Sequence, residues 1–316
     1  MDVSTMFRVD GMVAVITGGG SGPYPRLSHP IINVTDKANP GIGFMMAKVL
    51  ASSGAKKVYI LGRRANVLEA AASSHPSISP IVCDVTSKAS LQNAVDIITA
   101  EVGFVNLVIA NSGVVGKSKG FNGSSSIQEL RKTLFDDETM EDFTEVQHVN
   151  VTGAYYTMTA FLELLAAGNK NALRGGFGKP LNEGSQVPLV QSQIIVTSSI
   201  GAFSRQKATT PDYGASKAAI AQLAQNMTTN LAPYQIRINT IAPGLFPSDM
   251  AKSFMEGRNP ETEPEDHYYF IPARRFGTEE ELAGTVLYLA SKAGAYCNGS
   301  IVAFDGGRMA ITPSTY

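Results

Sequence analysis

The feature that most narrows what this chain can fold into is an apolar run at 12–16 that ends in Thr17-Gly18-Gly19-Gly20-Ser21-Gly22. A buried strand that breaks on glycines and opens a helix delivers free backbone amides to one point, and those amides attract the phosphates of a dinucleotide. Glycine suits the turn because positive φ and a close backbone approach are open to it. The helix, however, does not follow at once. Pro23, Pro25, Pro30 and Pro40 punctuate a stretch with little periodicity, and an amphipathic segment begins only at Gly41-Ile42-Gly43, with Met45, Met46, Val49 and Leu50 on one face. Removing residues 23–41 joins the text into Thr-Gly-Gly-Gly-Ser-Gly-Ile-Gly running into that helix. Taken alone, a glycine cluster is equally a solvated loop, so the rest of the chain decides.

Further apolar runs predict strands at 57–61, 81–83, 107–110, 193–197, 237–241 and 301–304. Between them, helical periodicity predicts helices over 66–73, 87–102, 139–167 and 213–231. A last one runs to 290 from the capping box formed by Thr278 and Glu281. Continuously apolar strands that alternate with helices imply a parallel sheet covered on both faces. The expected fold is therefore α/β: a single Rossmann-like domain over 1–316, with seven parallel strands and helices on both faces. Loop insertions are expected at 23–41, 114–137 and 168–191, where Gly, Ser and Pro are dense. The segment 247–272 mixes polar and aromatic residues after the end of a strand, where open α/β sheets bind ligands, and reads as a substrate lid.

Bulk properties limit the partners. The chain has 316 residues, of which 44% are hydrophobic and 17% charged, enough to bury a large core. A net charge of −1, with no Lys/Arg run longer than two, argues against nucleic acid or an anionic membrane, because both need concentrated positive charge. No segment reaches the roughly 18 apolar residues of a membrane span, so a cytoplasmic protein with a small-molecule substrate is expected. Cys83 and Cys297 lack the spacing of a metal or redox pair, and His29, His75, His148 and His267 are scattered, so no metal site is assigned.

The strongest local chemistry is Tyr213-Gly214-Ala215-Ser216-Lys217 at a predicted helix start. Tyr and Lys four apart share one helix face. A phenol with its usual pKa near 10 is a poor acid at neutral pH, but a nearby ammonium stabilises the phenolate. That makes Tyr213 a candidate proton donor to a carbonyl oxygen that receives a hydride. By itself, though, a Tyr-x-x-x-Lys pair is more often a surface tyrosine beside a solvated lysine.

Read in order, Thr17-Gly18-x-x-x-Gly22, Ile42-Gly43, Asp84-Val85, Asn111-Ser112-Gly113, Asn150, Ser199, Tyr213-x-x-x-Lys217 and Pro243-Gly244 resemble the short-chain dehydrogenase/reductase family, over about 11–307. The resemblance implies Tyr213 as proton donor or acceptor and Lys217 as the group that depresses its pKa and bonds the nicotinamide ribose. It further implies Ser199 as the holder of the substrate oxygen and Asn150 as the anchor of a water in a proton relay. Ser198 competes for the serine role because it lies three before Gly201, as in the family's Ser-x-x-Gly; the spacing to Tyr213 favours Ser199. On the cofactor side it implies Gly18, Ser21, Gly22, Ile42 and Gly43 at the pyrophosphate. Asp84 and Val85 would flank the adenine, Asn111 and Gly113 would line the adenosine side, and Pro243, Gly244, Phe246 and Ser248 would lie at the nicotinamide end. A homodimer or homotetramer is also implied.

Charge then selects the cofactor. An acid at the end of the second strand would suit the ribose hydroxyls of NAD, whereas Gly62 here is followed by Arg63 and Arg64, two guanidinium groups that would pair with a 2′-phosphate. NADP(H) is expected, with reduction as the working direction. Residues 242–250 and 294–299 look like those of 3-oxoacyl reductases, including the rhamnolipid-pathway type, which implies a 3-oxoacyl or polyketide-like ketone. The segment 23–41 departs from the family's pattern, since the anion site forms only if the two ends of the excursion meet. One explanation is translation of an unspliced short intron. The alternative function is then a non-catalytic or cofactor-impaired form of the same fold.

Overall fold

The computed structural model describes residues 3–20, 41–117, 125–207, 209–248 and 250–316. Ser21, Gly22 and all of the 23–41 excursion except Gly41 lie outside the described residues. The first strand, β1 (Val13–Thr17), is completely enclosed, and its side chains divide between the two faces of the sheet: Val13 and Val15 join one core, Ala14 and Ile16 the other. Such alternation follows from the two-residue period of a strand.

From β1 the chain builds α1 (Ile42–Ser52), β2 (Lys57–Gly62), α2 (Ala65–Ala72), β3 (Ile78–Val82), α3 (Lys88–Glu101) and β4 (Leu107–Ala110). Next come α4 (Ile127–Arg131), α5 (Met140–Gln147), α6 (Ala154–Ala160), α7 (Leu162–Leu173), β5 (Gln193–Thr197) and α8 (Pro211–Leu231). The remainder is β6 (Arg237–Pro243), α9 (Lys252–Met255), α10 (Glu279–Ala290), β7 (Ile301–Phe304) and α11 (Arg308–Ile311). All strand pairs are parallel, in the order β3-β2-β1-β4-β5-β6-β7, so the chain forms the expected Rossmann-like sheet of seven strands. On one face α3, α6, α7 and α8 bury Leu91, Ile98, Met158, Phe161, Leu165 and Ile220. On the other, α1, α2 and α10 bury Met46, Leu50, Leu68, Leu282 and Val286. Because the strands share one direction, their C-terminal ends and the loops that follow gather along a single edge, where ligands of such sheets bind.

Three expectations are corrected. The strand predicted at 81–83 is Ile78–Val82 and includes Pro80. A proline cannot donate to a ladder, but β3 is the outermost strand and tolerates it. The helix expected over 139–167 is not continuous. A π-helical turn, His148–Gly153, joins α5 to α6, and at Phe161, buried completely, the backbone leaves helical geometry before α7. The insertion expected at 168–191 starts later, because α7 continues to Leu173. Gly168 misleads there as a loop former. It lies inside the helix, where a Cβ would come within 2.1 Å of the Val105 carbonyl oxygen, so the glycine permits α7 to press on the start of β4. The stretch 114–137 likewise contains α4, whose Ser126 and Glu129 form a reciprocal capping box, followed by a π turn at Lys132–Asp136.

The Gly168 contact makes a stability prediction. Gly168→Ala must displace backbone, and it should cost about 2 kcal/mol as measured by urea unfolding. An unchanged unfolding midpoint would show that α7 does not press on β4 as described.

Candidate active site

The end of β1 is joined to the end of β4 by side chains. The Thr17 hydroxyl accepts hydrogen bonds from the backbone N–H groups of Asn111 (3.0 Å) and Ser112 (3.1 Å), and Asn111 Nδ2 donates to the Thr17 carbonyl (3.0 Å). Gly18 follows at φ +69°, the left-handed region that glycine occupies without strain. Far apart in the chain, Gly18 and Gly43 come into contact. A Cβ on Gly43 would lie 2.4 Å from the Gly18 carbonyl oxygen and 2.6 Å from Asn111 Nδ2, so only glycine at the first turn of α1 allows the approach.

These glycines line one end of a cavity of about 400 Å³ that continues past Asn111, Ser112 and Gly113 to Ser198, Ser199, Tyr213 and Lys217. Pro243, Gly244, Phe246 and Ser248, which follow β6, line it too. Ser198 and Ser199 differ sharply in commitment. The Ser198 hydroxyl donates to the Lys217 carbonyl at 2.7 Å and is buried. Ser199 Oγ accepts from the nearby Gly201 N–H (3.0 Å) and its hydroxyl lies beside the Tyr213 phenol; a Cβ on Gly201 would touch both Ser199 Oγ and the Tyr213 ring at 3.4 Å. Lys217 reaches back from the second turn of α8 so that its Nζ donates to the Thr197 carbonyl (2.9 Å) and stands 5.8 Å from the centre of the Tyr213 ring. Burial pushes the Lys217 ammonium down to about 8. Burial also pushes the Tyr213 phenol up, while the adjacent Ser199 hydroxyl pulls it the other way. In this arrangement removal from water outweighs the stabilisation of the phenolate expected from the sequence, as it does when a charge lacks close compensation.

Asn150 lies on the π turn, almost completely buried and outside the cavity lining. Its side chain clamps Val114 from both sides: Oδ1 accepts from the Val114 N–H (2.8 Å) and Nδ2 donates to the Val114 carbonyl (2.9 Å). Nδ2 also donates to the Ser216 hydroxyl (3.0 Å), which in turn donates to the Tyr213 carbonyl. A π turn adds one residue to a helical turn and so redirects a side chain. Here it aims Asn150 at both the loop after β4 and the start of α8.

Of the two arginines after β2, Arg64 lines the cavity; Arg63 does not and lies instead close enough to Asp84 to hold that carboxyl below its usual range, after the stronger effect of Thr86. Asp84 accepts from the Thr86 N–H and hydroxyl, and Val85 is buried beneath Gly153, so neither reaches the cavity wall. Sequence reasoning missed Gln206, Thr209, Arg308, Met309 and Thr312, which line the side away from the glycines. Their only signal was position after a strand end. The segments 203–206 and 313–315 are tied by a Ser204–Ser314 bridge and by the Arg205 N–H on the Pro313 carbonyl. Among the described residues no cluster of His, Cys, Asp or Glu could hold a metal, and no helix is long and apolar enough to cross a membrane.

Comparison with known proteins shows the family. Residues 31–173 match the short chain dehydrogenase model, and residues 182–308 match the model described as enoyl-(acyl carrier protein) reductase. The short-chain dehydrogenase/reductase SAT3 of Stachybotrys chartarum is 57% identical over 272 residues, covering 86% of this chain and all of that one. VdtF of Byssochlamys spectabilis, also a short-chain dehydrogenase/reductase, is 39% identical and covers 100% of this chain and 98% of its own. Among solved structures, the Pseudomonas aeruginosa RhlG/NADP active-site complex superposes with a TM-score of 0.70 at 25% identity, over 96% of this chain and 98% of that one.

The buried ammonium gives a pH prediction. A lysine held near 8 in the folded protein but at its ordinary 10.5 when unfolded costs stability while it is protonated. The cost is complete below about pH 8 and relieved as pH rises to 10.5, a gain of about 3 kcal/mol for the folded state. Denaturant unfolding without added nucleotide should show that gain in the wild type and lose it in Lys217→Met. Parallel profiles for the two proteins would contradict it.

Proposed function

The chain belongs to the short-chain dehydrogenase/reductase family and is an oxidoreductase that uses a nicotinamide cofactor, and from that premise we propose that it is an NADPH-dependent reductase of a small-molecule ketone. The observation that carries the reading is that one cavity holds the Gly18/Gly43 contact at one end and Ser199, Tyr213 and Lys217 farther along it.

The residues fit a dinucleotide. Any side chain on Gly43 would fill the cradle beside Gly18, and among the described residues the buried Lys217 ammonium has one hydrogen-bond acceptor, the Thr197 carbonyl, leaving donors for a ribose hydroxyl. Gly18, Ile42 and Gly43 would hold the pyrophosphate; Ser21 and Gly22, assigned to it from the sequence, lie outside the described residues. Asn111 and Gly113 line the adenosine side, and Gly244, Phe246 and Ser248 the nicotinamide side. Arg64 pairs with the 2′-phosphate and Arg63 stands behind it. RhlG, solved with NADP, supports that choice. Once bound, the nicotinamide supplies the hydride. The protein does the rest: Ser199 holds the ketone oxygen, Tyr213 donates its proton to that oxygen, and Lys217 fixes the phenol and ribose positions. Asn150 serves as a positioning residue, because its hydrogen bonds hold Val114 and Ser216 rather than the cavity contents. The segment 247–272 is the substrate lid, with Met250, Phe254, Tyr268 and Tyr269 on the cavity wall.

Three measurements test the reading. Tyr213→Phe should lower ketone reduction by about 10²-fold or more while NADPH binding changes little, since only the proton donor is lost. Retained turnover would remove Tyr213 from the chemistry. Arg64→Ala should shift the NADPH-over-NADH preference by roughly tenfold or more, the worth of a charge-assisted pair with phosphate. An unchanged ratio would place the 2′-phosphate elsewhere. Because Gly18 and Gly43 are in contact, the full chain should bind NADPH about as well as a form lacking residues 23–41. Binding by the shortened form alone would instead favour the cofactor-impaired reading.

A further inference from the structure

Arg308 opens α11 just after the turn that follows β7, and its side chain is 92% removed from solvent, yet it forms part of the cavity wall. A guanidinium carries five N–H donors and stays charged under all ordinary conditions. Its Nη2 donates to Gln206 Oε1 at 3.0 Å, and its central carbon stands 4.9 Å from the Tyr269 ring centre. Among the described residues no carboxylate comes within ion-pair distance of it. Its neighbours explain why. Asp305 is spent on the backbone N–H groups of Gly307 (2.9 Å) and Met309 (2.7 Å). Glu263 is spent on Arg258, which it grips with both oxygens at 2.7 and 2.8 Å.

The contrast between the two arginines is informative. Arg258 stacks on the same Tyr269 ring at 5.2 Å, and besides its carboxylate partner it donates to the Phe254 and Tyr269 carbonyls, so its fork is consumed inside the lid. Arg308 has the matching aromatic neighbour but no ion-pair partner of its own: Asp305 and Glu263 lie near enough to feel its charge, yet both are committed to other donors. Burying an unpaired guanidinium is costly, and proteins accept the cost where a ligand completes the pair.

We propose that Arg308, oriented by Gln206 and backed by Tyr269, is a carboxylate-recognition subsite in the substrate end of the cavity, so that the ketone reduced here also bears a carboxylate. The proposal rests on the reading of that cavity as the substrate site. A planar guanidinium with one edge fixed by Gln206 presents parallel donors that match the two oxygens of a carboxylate. β7 lies two strands from β5, which ends next to Ser199, and neighbouring strands lie about 4.8 Å apart, so the strand ends that carry the two groups are separated by roughly 10 Å of sheet edge. On the other side, β1 is four strands from β7, roughly 19 Å away, which keeps Arg308 clear of the glycine turn.

The test uses ligands that cannot be reduced, so that it is read apart from turnover. Phenylalkanoic acids with chains of three to six carbons, and their methyl esters, are titrated by calorimetry into the full chain saturated with NADP+. The wild type should bind at least one acid about tenfold or more tightly than its ester. Arg308→Met should abolish that preference while ester binding stays within about threefold, Arg308→Lys should retain part of it, and Gln206→Leu should weaken it. Equal binding of acid and ester across the series in the wild type overturns the proposal. So does an Arg308→Met protein that keeps the preference, or one that only melts at lower temperature without losing discrimination. Reduction of neutral ketones by the wild type is scored separately: if it occurs without any acid preference, the function stands and the subsite falls.

Discussion

Everything at the cofactor end hangs on the joint between β1 and β4 made by Thr17. One hydroxyl accepts from two successive N–H groups beyond β4, while Asn111 returns a hydrogen bond to the Thr17 carbonyl. These bonds form where the two strands stop pairing, so they hold the strand ends at the spacing that the sheet imposes and carry it into the loops. The glycine contact between Gly18 and Gly43 depends on that spacing, since Asn111 Nδ2 lies against both glycines. Loss of the joint would leave the strands in place but release the groups beyond them.

The catalytic end is arranged differently. There a single buried carboxamide, Asn150, coordinates two segments that are distant in sequence, the loop after β4 and the first turn of α8. Neither the loop nor the helix needs Asn150 in order to exist. What it supplies is their relative position, and through Ser216 it reaches the backbone of Tyr213. The substrate end is looser again: the lid is held mainly by the Arg258–Glu263 pair and by stacked rings rather than by sheet hydrogen bonds.

The sheet and most helices were legible in the sequence because burial on both faces makes the strands continuously apolar, a pattern that local reading detects. Pro80 hid part of β3, since propensity alone cannot say that a strand is at an edge. Gly168 hid the last turns of α7, because glycine signals a loop unless one knows that a carbonyl waits 2.1 Å from its missing Cβ. Tyr213 and Lys217 stood out by their spacing on one helix, and Ser199 by the resemblance to the family. Arg308 did not, because its meaning comes from the absence of an ion-pair partner among residues far apart in the chain. The division of labour between Ser198 and Ser199 was equally invisible, since only the fold shows which hydroxyl α8 takes.

That division has an evolutionary consequence. Two identical neighbouring side chains do unlike jobs, one anchoring α8 and the other facing the cavity, and Gly201 must then pass beside the Tyr213 ring. Gain or loss of a single codon between 197 and 201 would exchange the anchor for the exposed hydroxyl and misplace the glycine at the same time. Lineages of this protein should accordingly accumulate insertions in the connections between helices while the short run after β5 keeps a constant count of residues.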